Sequence, residues 1–138
     1  MIHNKDSLEP GVSCGQSAWC ETEGAYIRHL GPGVGEIRLR PYVDLSASDA
    51  EMIIRTIESM QASCVLMDHR APHSFSFQAQ MAFFHQKTTH TLALWVDMRE
   101  PCVAAASHMA MILRPTCRAR LFYTREQASD WLHAECKG

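Results

Sequence analysis

The sequence predicts a single α/β domain, with a mainly parallel sheet that begins in an N-terminal β-hairpin and is covered by about four helices. Three observations predict it. One pattern occurs twice: Val65-Leu66-Met67-Asp68-His69-Arg70-Ala71-Pro72 and Leu94-Trp95-Val96-Asp97-Met98-Arg99-Glu100-Pro101 are both apolar runs closed by Asp-x-Arg-x-Pro and followed by helical periodicity. An apolar run that enters a loop in this way reads as a buried parallel strand. Strand-like and helix-like stretches then alternate along the chain, the order that lays helices over a parallel sheet. Finally, 138 residues, 46% of them apolar and 20% charged, suit one packed core without an internal linker.

Each element has its own signal. Residues 1–18 carry Asn, Ser, Pro and Gly without periodicity and are expected to be a flexible tail, with Trp19 anchoring its end and the domain spanning 19–138. Ala25-Tyr26-Ile27-Arg28-His29-Leu30 reads as a strand and Gly31-Pro32-Gly33-Val34-Gly35 as a turn. Glu36-Ile37-Arg38-Leu39-Arg40 alternates as a half-exposed strand with Ile37 and Leu39 inward. Ser48-Asp49-Ala50-Glu51 matches a capping box, and Ile53, Ile54, Ile57 and Met60 keep helical spacing, which places a helix over 49–60. Residues 63–67 form the first buried strand and 68–73 its loop. Ser74 or Ser76 can cap the next helix, with Met81, Phe84 and Phe77 toward the sheet.

Residues 88–91 end that helix, and 92–96 form the second buried strand. Pro101 suits the first turn of an apolar helix through Val103, Met109, Met111, Ile112 and Leu113, which should be largely covered and stops at Arg114-Pro115. Residues 119–123 form a last strand. Thr124-Arg125-Glu126-Gln127 caps a final helix that packs through Ala128, Trp131 and Leu132. The order is β-β-α-β-α-β-α-β-α.

A formal charge of −2 with scattered arginines argues against nucleic acid as a partner. No apolar run approaches the roughly 20 residues of a transmembrane helix, and the polar start has no apolar signal region. The six cysteines at 14, 20, 64, 102, 117 and 136 include no Cys-x-x-Cys pair. Cys64 falls in an apolar strand and Cys102 in an apolar helix, where thiols act as small hydrophobes. Free thiols in a reducing cytoplasm are therefore expected over a disulfide framework.

The ending of the chain resembles that of SpoIIAA-like proteins in the STAS group, whose members include anti-sigma-factor antagonists. Residues 119–132 (Ala-Arg-Leu-Phe-Tyr-Thr-Arg-Glu-Gln-Ala-Ser-Asp-Trp-Leu) match its short strand with Phe, then Thr-x-Glu-x-Ala, then Trp-Leu. The helix start Leu45-Ser46-Ala47-Ser48-Asp49 and the strand ending in Val96-Asp97 are similar too, so the likeness spans about 25–132. It implies a STAS-like α/β sandwich related to SEC14-like lipid-binding folds. Phosphorylatable members carry Asp-Ser after the strand that corresponds to 63–67, whereas this chain has Asp68-His69-Arg70. A phosphoacceptor would then be Ser74 or Ser76, favoured by the helix dipole. The competing reading is that both serines only cap the helix.

Asp68, His69, Arg70, His73, Asp97 and Arg99 should gather at one sheet edge and form a ligand or partner face. There Arg70 and Arg99 could grip an anion as bidentate forks. The alternative is that each Asp closes its own turn and each Arg stays solvated. His69, His73, His85 and His90 have no ligand spacing such as His-Glu-x-x-His, so neither metal nor other cofactor is expected. His108 reads as a core or interface residue. Cys102 near a helix start with His69 or His73 would be the only nucleophile arrangement, and no flanking signature accompanies it. The glycines of 31–35 precede no helix and fail the dinucleotide test.

The expectation is a non-catalytic regulatory or protein-binding domain acting through a protein partner at 68–76 and 97–102, with homodimerisation compatible. The alternative is a carrier of a small apolar ligand or lipid between helices rich in Met81, Phe83, Phe84, Met109 and Met111. A small Cys/His hydrolase is the weaker alternative.

Overall fold

The computed structural model describes residues 18–71, 73–98 and 100–136, the side chains of 100 and 101 excepted. The expectations for the tail, Pro72 and Arg99 lie outside these residues. In chain order the elements are β1 (Cys20–Glu21), β2 (Ala25–Gly31), β3 (Val34–Leu39), β4 (Val43–Leu45), α1 (Ala47–Ser59), β5 (Cys64–His69), β6 (His73–Phe75), α2 (Phe77–His85), β7 (Thr91–Val96), α3 (Glu100–Leu113), β8 (Arg118–Phe122) and α4 (Arg125–Glu135). Without the short strands β1, β4 and β6, this is the predicted order.

The main sheet runs β1-β2-β3-β5-β7-β8. β1, β2 and β3 pair antiparallel. β3, β5, β7 and β8 are parallel neighbours. The hairpin turns at Pro32-Gly33, where Gly33 takes a φ of +72° that an L side chain adopts only with strain. β4 and β6 form a separate two-stranded parallel sheet. Neither was predicted, because three residues are too few to show a period.

Side-chain alternation gives the sheet two unlike faces. Ile27, Ile37, Val65, Met67, Leu92, Leu94 and Val96 point to one face, where α1, α2 and α3 bury them in the larger core. The opposite face carries Leu66 and Ala93 under α4, which adds Ala128 and Leu132 to a smaller core. Three helices thus share one side, and a single helix partly covers the other.

Some expectations need correction. The first helix is capped by Ser46, not Ser48: the Asp49 amide donates to Ser46 Oγ over 3.2 Å and the Ser46 amide to Asp49 Oδ2 over 3.0 Å. Both Ser-x-x-acid frames fit the capping pattern; the observed one lets the helix begin at Ala47 and bury Ala50, Ile53, Thr56 and Ile57. Accordingly, Ser46→Ala should cost about 1 kcal/mol in chemical denaturation, while Ser48→Ala should fall within about 0.5 kcal/mol of the parent.

Phe77 and Met111 are exposed instead of facing the sheet, because each lies on the outer side of its helix while Ala79 and Phe83, or Met109 and Ala110, turn inward. His108, next to the inward Met109, is likewise exposed and not a core residue.

The free-thiol expectation also fails in part. Cys64 and Cys136 form a disulfide with their Cα atoms 6.5 Å apart, and Cys20 is disulfide-bonded as well. Linear spacing hid the first pair because 72 residues separate them. α4 returns across the sheet and brings its end over the start of β5. Cys102 and Cys117 are free and buried, as small hydrophobes should be.

Candidate functional site

The face under α4 is apolar only where that helix lies. Register sets Arg28 beside Glu36 and Tyr26 beside Arg38 on the hairpin. It then sets Arg38 beside Asp68, Asp68 beside Trp95 and Trp95 beside Phe122. The period of two that turns Ile37 and Leu39 into the larger core turns Glu36, Arg38 and Arg40 the opposite way.

Two carboxylates form the floor. Glu36 is fully buried. It accepts from Arg28 Nε at 3.0 Å, and from Arg125 Nη1 at 2.6 Å and Nη2 at 3.0 Å. Burial pushes the Glu36 carboxyl up, but the hydrogen bonds and charges of Arg125 and then Arg28 outweigh it, so its pKa lies below the ordinary value. Asp68 accepts from Arg70 Nε at 3.0 Å and Nη2 at 2.9 Å, a bidentate fork, and from the Arg70 amide at 3.0 Å. Arg38 Nε stands 3.4 Å from Asp68 Oδ2.

Aromatic rings lie against the arginines. The guanidinium carbon of Arg70 lies 3.6 Å from the Trp95 centroid. Arg28 and Arg38 approach the Trp19 ring at 4.3 and 4.8 Å. Arg40 lies 4.3 Å from the Tyr26 ring and donates to Tyr26 Oη at 2.8 Å. The side chains of Asp68 and Glu36 are 4% and 0% exposed, whereas those of the five arginines are between 26% and 45% exposed. Negative charge is therefore sunk beneath a layer of stacked, part-exposed guanidinium groups.

The predicted edge divides between the two faces. Asp68 and Arg70 belong to the arginine–tryptophan face, while His69, the next residue of β5, points into the helical side. Asp97 is not the equivalent of Asp68 despite the repeated motif: His69 pairs with Val96, so Asp97 lies beyond the end of β7, two positions further along than Asp68.

His69 is fully buried, and its Nδ1 lies 2.9 Å from His73 Nε2. His73 Nδ1 lies 2.8 Å from the Ala71 carbonyl oxygen, which can only accept. His73 Nδ1 therefore carries a proton; with both rings kept neutral by burial, its Nε2 accepts from His69 Nδ1, and the buried His69 Nε2 has no hydrogen-bond partner among the described residues. Both rings are neutral in this arrangement. Burial lowers the pKa of both, helped at His69 by the charge His73 could carry and opposed at His73 by the Ala71 bond and Asp68. A depressed imidazole pKa stabilises the fold above the ordinary value near 6.5, and that stabilisation is lost as pH falls below it. Urea denaturation at about pH 7.5 and pH 5.5 should show weaker stability at the lower pH. His69→Leu/His73→Leu should flatten that difference, and an unchanged slope would assign it to other groups.

The other candidates are engaged in structural contacts. Cys102 Sγ donates to the Arg70 carbonyl at 3.4 Å. Burial pushes the Cys117 thiol up to about 11. Ser76 caps α2, with its Oγ accepting from the Ala79 amide at 3.0 Å, while the exposed Ser74 hydroxyl donates to Asp44. Phe83 and Met109 fill the larger core. The cleft among α1, α2 and α3, lined by Ile53, Ile57, Met67 and Phe83, has a volume of about 30 Å³. Among the described residues no cluster of three or more His, Cys, Asp or Glu could hold a metal, and no helix is long and apolar enough to cross a membrane.

No protein-family model matches the chain, and no curated protein matches it. Among solved structures it is similar to an uncharacterised protein of the DUF3478 family with a SpoIIAA-like fold from Shewanella loihica PV-4. The identity is 16%, the match covers 83% of this chain and 90% of that one, and the TM-score is 0.53. Together with the mainly parallel sheet, its leading hairpin and the four helices, that likeness gives the chain a SpoIIAA-like fold.

Proposed function

We propose that this chain is a non-catalytic binding domain that acts through a protein partner. One observation carries the reading: beyond α4 the sheet keeps a broad face of part-exposed arginines stacked on Trp19, Tyr26 and Trp95. Arginine and aromatic side chains are the residues enriched where proteins meet. His73 and Cys102 spend their polar atoms on His69 or on backbone, which supports a domain without a nucleophile. A carrier with its ligand between the helices is less well supported, since the cleft there, of about 30 Å³, compares with roughly 300–1,000 Å³ for ligand sites.

Site-directed photo-cross-linking in cells tests the proposal. A photoreactive residue replaces Glu21 at the rim of the face or Met111, exposed on α3 on the opposite side. A discrete protein adduct from position 21 and none from position 111 is expected. Adducts from 111 alone would move the function to the helical side. No adduct from either would overturn it.

A further inference from the structure

We infer that the occupant of the arginine–tryptophan face is an extended acidic segment of a partner protein, with carboxylates on alternate residues. This deepens the proposed function and rests on it. Among the described residues, Arg28, Arg38, Arg40, Arg70 and Arg125 meet three carboxylates, those of Glu21, Glu36 and Asp68. Two of those carboxylates are sunk out of contact, so an approaching group meets guanidinium edges first.

Spacing selects the form of the ligand. Arg38 and Arg40 sit two residues apart along the line of β3 and its continuation, about 6.8 Å by strand geometry. An extended chain repeats its side chains on one face at the same interval, so alternate Glu or Asp residues match the two guanidinium groups one to one, the carboxylate at Arg40 taking the place of the exposed Glu21. Arginine pairs carboxylates bidentately, and stacking on Trp19 and Tyr26 fixes the forks in advance, which reduces the ordering cost of binding. Single-stranded nucleic acid fits less well. It needs open aromatic faces for base stacking, and here arginines occupy the Trp19 and Trp95 rings.

Intrinsic tryptophan fluorescence of the full chain, titrated with an end-capped peptide of alternating Glu and Ser, tests this. Saturable binding is expected, weakened at least about tenfold by Arg38→Ala/Arg40→Ala and by raising salt from about 0.05 to 0.5 M. That double variant leaves Glu36 with Arg28 and Arg125, and Asp68 with Arg70, so it should still fold with a single thermal transition, lowered only by the loss of the part-exposed Arg40 contacts to Thr22, Tyr26 and Glu21. Arg38→Lys/Arg40→Lys, which keeps the charge and loses the forks, should also bind more weakly. Absence of saturation, equal affinity in the alanine variant, or tighter binding of an oligothymidylate would each overturn the inference. If the peptide fails while the cross-linker at position 21 still captures a protein, the acidic segment is wrong and the binding function stands.

Discussion

Glu36→Ala is expected to lower stability by about 3 kcal/mol, the lower end of what is lost when one partner of a buried ion pair is removed. The lower end applies because Arg28 and Arg125 are about a quarter and a third exposed and can turn part of their charge to water. Local damage should exceed the global loss. Arg125 is the first residue of α4, and its fork on Glu36 is what ties the start of that helix to the sheet. Hydrogen exchange should therefore quicken in α4 before it does in α1–α3. Glu36→Gln keeps an acceptor and should cost less. The acid limb follows from the same pair. With the Glu36 pKa below its ordinary value, its stabilisation is complete above about pH 4.5 and is lost as pH falls further, whereas the loss from the histidine pair begins already below about 6.5. Urea midpoints of the parent and both variants at neutral pH would decide the point; equal midpoints would mean that the cluster adds nothing to stability.

Breaking the Cys64–Cys136 disulfide should have the other large effect. The bond closes a loop of 72 residues, for which loop-closure entropy gives roughly 4 kcal/mol. Cys64→Ser/Cys136→Ser, or reduction of the parent, should lower the thermal midpoint by many degrees. If it did not move, the cross-link would be dispensable. Disulfides persist in oxidising surroundings, so the argument for a reducing cytoplasm from cysteine spacing loses its basis.

The regular elements were legible because each buries one face repeatedly. Leu92, Leu94 and Val96 announce a strand, and Ile53 and Ile57 a helix face, through period alone. Boundaries were harder to read: two capping frames compete at 46–51, and only the positions of Ala50 and Ile53 against the sheet decide between them. The site was half legible. Asp68 and Arg70 stood out through a repeated motif, yet the repetition misled about Asp97, since register places the two aspartates at different depths. Glu36, Arg38 and Arg40 had a visible signal, three charged residues on one face of a strand, but it read as a solvated surface. What hid the fully buried Glu36 is that its partners, Arg28 and Arg125, come from another strand and from a helix 89 residues away. The alternation of a strand shows which side a residue takes and not what covers that side. The disulfide was illegible for the same reason.

Strand order in the main sheet follows chain order. As the polypeptide leaves the ribosome, every new strand finds its template already laid on the growing edge, and nothing must be threaded between strands that have paired. Assembly can keep pace with synthesis, which proceeds at roughly 5–20 residues per second. Each stage then leaves one unfinished edge open to stray pairing. The last edge to form is β8, where the exposed Arg118 and Arg120 discourage any further strand from joining.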